Sequence, residues 1–105
     1  MKTRTLLTLA SAICLFILTP GVPLHAGSPA EAIYELEQAR TSPNPFPHVE
    51  RAKQELEETR EVSRGHKWAA MRNLERAVEY IIIVNPKAVD KHIERAILEI
   101  KEGQH

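Results

Sequence analysis

Residues 73–100 read NLERAVEYIIIVNPKAVDKHIERAILEI. Apolar side chains recur at Leu74, Ala77, Val78, Ile81 and Val84, then at Val89, Ile93, Ala96, Ile97 and Ile100. Steps of three and four residues place each set on one stripe of an α-helix. Between the two sets stands Asn85-Pro86, an N-cap residue followed by a proline whose missing N–H suits a first helical turn. So short a break turns the second helix back along the first, and the stretch predicts an antiparallel pair. The run Tyr80-Ile81-Ile82-Ile83-Val84 is locally β-prone. It closes a long helical period, however, and is read as helix.

Working outward from this pair, the third helix is predicted over 66–84, with Trp68 and Met71 as core anchors, and the fourth over 86–102, with Gly103 behind it. A second helix is predicted over 48–64, its weaker apolar face carrying Val49, Ala52, Leu56 and Val62, with Gly65 as C-cap. A first, shorter helix covers 29–40. Ser28 is a good N-cap there, Pro29 fits the first turn, and Glu31 completes an S-x-x-E capping box. The segment 41–47 holds Pro43, Pro45 and Pro47 and reads as a stiff linker. The fold class expected is all-α: one small up-and-down four-helix bundle over residues 27–105. Opposed charges at i and i+4, such as Arg51/Glu55, Lys53/Glu57 and Arg95/Glu99, fit solvated helix faces.

The 105-residue chain starts with a different kind of segment. Lys2 and Arg4 form a basic head, Leu6 to Leu18 carries no charge, and Pro20, Gly21 and Pro23 precede Leu24-His25-Ala26. That is the layout of a secretory signal, with cleavage expected after Ala26 and export to the periplasm. The uncharged stretch falls short of the ~20 residues that span a bilayer, so no stable membrane anchor is expected after cleavage. Cys14 lies inside this segment, which leaves 27–105 without thiols for disulfides, metal or catalysis. Removing two basic residues from a chain of net charge zero leaves a slightly acidic remainder, and nucleic acid is not an expected partner. No Gly-rich loop or serine elbow is present, nor the pair of E-x-x-H units that a di-iron bundle needs, so neither a dinucleotide site, nor a nucleophilic enzyme, nor a di-iron bundle is expected.

A short pattern recurs. His48-Val49-Glu50-Arg51-Ala52 with Glu55-Leu56, and His92-Ile93-Glu94-Arg95-Ala96 with Glu99-Ile100, both read H-φ-E-R-A-x-x-E-φ. Asn73-Leu74-Glu75-Arg76-Ala77 and Glu35-Leu36-Glu37-Gln38-Ala39 carry the same core, so each predicted helix has one φ-E-(R/Q)-A unit. An apolar residue followed three positions later by alanine makes a seam that a neighbouring helix can approach closely. Packing alone accounts for that part of the pattern, though not for histidine ahead of it in two units.

The candidate metal donors are His48, His66, His92 and His105, since imidazole is the common ligand for copper, nickel and zinc where thiols are lacking. No two are spaced i and i+4. His48 with Glu55, and His92 with Glu99, stand seven apart, about 10 Å along a helix. In an up-and-down bundle His66 and His105 fall at the same end and are expected to meet, helped by a glutamate, whereas His48 and His92 are offset. The bland alternative for each histidine is an ordinary polar residue at a helix start or core boundary.

Taken together, His48-Val49-Glu50-Arg51-Ala52, the Gly65-His66 turn and His92-Ile93-Glu94-Arg95-Ala96 resemble the small metal-binding protein family of the bacterial periplasm. The likeness covers roughly 47–102. It implies a four-helix fold and a role in binding divalent metals, copper above all. The family places a further histidine three residues after the repeat alanine, where this chain has Glu55, Tyr80 and Glu99. The likeness therefore implies a kept fold with a lost or much reduced capacity. The expected function is an exported, non-enzymatic bundle that binds a copper-type divalent ion weakly. The rival is a ligand-free structural or interaction module, meeting a second copy or another protein through helices three and four.

Overall fold

The computed structural model describes residues 27–104. The segment expected to be a cleaved leader, residues 1–26, and His105 lie outside these residues. Four α-helices follow one another: α1 (Pro29–Thr41), α2 (Phe46–Glu58), α3 (Arg64–Ile82) and α4 (Pro86–Gly103). They form a small all-α bundle. The most intimate pairings are α3 with α4 and α1 with α2, and the two hairpins pack together through α2/α3 and α1/α4.

The alanine-notched seams form as the pattern requires. Leu36, Val49, Leu74 and Ile93 are fully buried, as are Ala52, Ala77 and Ala96, with Ala39 nearly so. Ala32, Leu56, Ala70 and Ile100 extend these stripes into one core. Small residues between large ones let the helix axes draw close, and this compensates for a core with few bulky side chains. The glutamates and arginines inside the units face outward.

Two caps work as their residues predict. The Ser28 hydroxyl accepts from the Glu31 N–H at 3.1 Å, and the Asn85 side-chain Oδ1 accepts from the Ala88 N–H at 3.2 Å. The other half of the α1 capping box is supplied from elsewhere: the Ser28 N–H donates to Glu55 of α2 at 2.9 Å, not to Glu31.

The second helix is shorter at its end than predicted. It spans Phe46–Glu58, not 48–64, and Gly65 lies inside the first turn of α3 instead of capping α2. The reason is Val62. A helix continued through 62 would turn that side chain about 120° off the stripe of Leu56, toward water. Leaving the helix at Thr59 lets Val62 bury to 4% exposure. The loop is then stitched in place. The Ser63 N–H donates to the Gly103 carbonyl at 2.8 Å, Val62 bridges Gln104, and the Lys67 ammonium donates to the buried Thr59 carbonyl at 2.8 Å.

The linker shrinks to 42–45, because α1 runs through Thr41 and α2 begins at Phe46 with Pro47 in its first turn. The third helix starts two residues before His66 and stops at Ile82, so Val84 falls outside it. Trp68, expected in the core, is 61% exposed, while Met71 packs against the core edge. Of the isoleucine run, Ile81 leans on the core, and Ile82 and Ile83 are exposed. Among the described residues, no helix is long and apolar enough to cross a membrane.

Candidate metal centre

Each described histidine uses Nδ1 to reach a polar side chain on the partner helix of its own hairpin. His48 of α2 meets Glu35 of α1 at 2.8 Å, with Arg51 a further 3.7 Å contact to the same carboxylate. His92 of α4 meets the side-chain Oδ1 of Asn73 on α3 at 3.0 Å. His66 of α3 meets Glu99 of α4 at 2.7 Å.

These contacts follow the repeated pattern. The residue just before φ is Glu35, His48, Asn73 and His92 in the four units, and the structure joins them as Glu35–His48 and Asn73–His92. The closing glutamate of the longer pattern behaves alike in both hairpins. Glu55 holds the backbone N–H of Ser28 at the head of α1, and Glu99 holds His66 at the head of α3. The Glu55 and Glu99 side chains therefore bridge helices, and neither forms the i, i+4 ion pair with Arg51 or Arg95 that spacing predicts. The Lys53 ammonium turns to Glu50 at 3.7 Å and not to Glu57.

Among the described residues, one group has metal-ligand character: His66, Glu99 and Glu102, whose donor atoms lie within 4.8 Å of one another. The head of α3 supplies the imidazole, and the last turns of α4 supply both carboxylates. Gly103 makes the approach feasible. A Cβ there would stand 2.5 Å from the His66 Cβ and 2.9 Å from the Val62 Cγ1, so only glycine lets the two elements touch. His66 and Glu99 remain partly open to water, with side-chain exposures of 39% and 32%. A tetrahedral ion with bonds near 2.1 Å wants donors about 3.4 Å apart, a closing movement that side-chain rotation at an open helix end can supply.

Of the four histidines expected as donors, the three that are described stand in separate contacts. His66 sits in the group, His48 and His92 are each engaged in a separate hairpin contact, and His105 lies outside the described residues. Neither Glu99 nor Glu102 was among the predicted donors. The signal for Glu99 was present in the repeat, as its closing glutamate. A scan against protein-family models finds no match, and searches of curated proteins and of solved structures also return nothing similar.

Proposed function

We propose that this bundle binds one divalent transition-metal ion of the copper(II) or zinc(II) type, weakly, at His66, Glu99 and Glu102. The observation that carries the reading is the convergence of one imidazole and two carboxylates at the α3 head. One nitrogen and two oxygen donors suit a borderline ion, and the order of divalent affinities favours copper. The His66–Glu99 contact is one that a bound ion would replace, so proton and metal compete for the same atoms. The resemblance to small periplasmic metal-binding proteins, and export by the leader, belong to the same proposal. So does the idea that the two hairpins are copies of one unit, which the matched Glu35–His48 and Asn73–His92 contacts support.

The test is copper(II) titration of residues 27–105, counting ions retained after gel filtration. About one equivalent is expected, lost in His66→Ala and in Glu99→Gln but kept in His48→Ala and His92→Ala. Absence of binding below ~100 μM, a free energy of only about 5 kcal/mol, rejects the site. A second reading, an interaction module, draws on a different observation: Ile82, Ile83 and Val84 stand 63–79% exposed in a row.

A further inference from the structure

A shallow depression between α3 and α4 is lined by Trp68, Arg72, Asn73, Arg76, His92 and Arg95. Three arginines line it and no acidic residue does. Among the described residues, none of Arg72, Arg76 and Arg95 forms an ion pair, although the surrounding helix surfaces are rich in glutamate. Arg72 and Arg76 stand one helical turn apart on α3, and Arg95 approaches from α4. The Arg72 guanidinium lies 4.9 Å over the Trp68 ring, which orders it and leaves the indole as an exposed wall.

The floor is ordered as well. The Asn73 Nδ2 donates to the Ala69 carbonyl at 3.0 Å, so its oxygen is the atom turned to His92. A neutral His92 therefore carries its proton on Nδ1. Its ring also stacks on Tyr80, with centroids 5.5 Å apart and planes 8° from parallel. Burial first, then Arg95, Lys91 and Arg76, hold the His92 pKa below its ordinary value against the opposing pull of Glu79. The charges that bear on His92 are thus mainly basic.

We propose that this groove binds a compact polyvalent oxyanion, a phosphate or sulfate group, through Arg72, Arg76 and Arg95. Guanidinium forks match tetrahedral oxyanions by paired, charge-assisted hydrogen bonds. Arginines on two helices favour a ligand with several charged oxygens over a single carboxylate. The site is separate from His66, Glu99 and Glu102 and does not depend on metal.

Trp68 is the only tryptophan of the chain and reports on the groove directly. Metal-free protein is titrated with inorganic pyrophosphate at low ionic strength, where surface charge is least screened. A saturable change in Trp68 emission is expected. In Arg76→Gln/Arg95→Gln its midpoint moves up by at least about tenfold, a loss of 1.4 kcal/mol. Lys87→Gln, which removes one charge outside the groove, leaves the midpoint where it was. The proposal fails if neither emission nor heat saturates by ~10 mM, an affinity too weak to count as a site. It fails equally if sodium chloride at matched ionic strength reproduces the change, or if the double variant, folded by circular dichroism, titrates like the parent. Should the double variant not fold, the two single exchanges are read instead, and an unchanged midpoint in both overturns the site.

Discussion

His92 shows how far one residue's role depends on its neighbours. In the sequence it is the first letter of a repeat and a candidate ligand. In the fold its Nδ1 is committed to Asn73 and its ring to Tyr80. Its depressed pKa has a consequence for stability whose direction is fixed. Above the ordinary imidazole value of about 6.5 neither folded nor unfolded chain protonates this group, and it has no effect. As pH falls through that value toward the lower folded one, the unfolded chain binds more protons, and folding weakens. Below the folded value the loss is complete. Between pH 7.5 and 5 the urea midpoint of the parent is therefore expected to fall relative to that of His92→Gln. Equal declines would assign the effect to other groups. At this scale the candidate site was half legible. His66 stood out as an imidazole beside a helix start, but its partners did not, because Glu99 reads as a solvated i+4 mate of Arg95 until the hairpin brings it across.

Helix ends show the same division between local and distant causes. Ser28 and Asn85-Pro86 mark starts that the fold respects, since a cap acts on N–H groups two or three residues away. The end of α2 carries a weaker mark, the Thr59 hydroxyl accepting from the Glu61 N–H at 3.1 Å. Val62 gains burial as the chain leaves the helix there, and that gain depends on the packed core. The end of α3 is stranger. The Asn85 N–H donates to the Tyr80 carbonyl at 2.9 Å and the Val84 N–H to the Ile81 carbonyl at 3.1 Å, the two bonds of a Schellman ending. The left-handed position, at φ 55°, is Val84, where glycine is usual. A β-branched side chain there costs roughly 1–2 kcal/mol. Because Val84 is 79% exposed, little packing is lost by removing it. Val84→Gly is expected to stabilise the protein by about 1 kcal/mol, after the extra flexibility glycine brings to the unfolded chain. Thermal unfolding checks it, and a lower melting temperature would mean that the valine contacts matter more than its strain.

The molecule as a whole has two unlike poles. At one, the 42–45 linker and the α3–α4 turn share a cavity, and Phe46, Ile82, Ile83 and Val84 are exposed around that end. A bidentate contact ties the hairpins there, Arg40 to Asp90 at 2.8 and 3.2 Å, and holds the guanidinium pKa above its usual value. If this pole is an interaction surface, sedimentation slows to that of a monomer on dilution, and Ile82→Lys/Val84→Lys is monomeric throughout. A parent that is monomeric at every concentration removes the support for that role. The four-helix architecture was legible from stripe periodicity and short joins. The sharing of contacts between two hairpins was not, because identical seams leave several pairings open.

At the other pole, Gly27 lies against the Glu55 backbone and Gly103 against His66 and Val62, all around the 59–63 loop. Both ends of the described chain therefore lie at this pole, and a linker from Gln104 to Gly27 need not run the length of a helix. The bundle is in this sense nearly a ring, and opening it at the proline-rich linker would change the order in which the helices are synthesised without changing which of them touch.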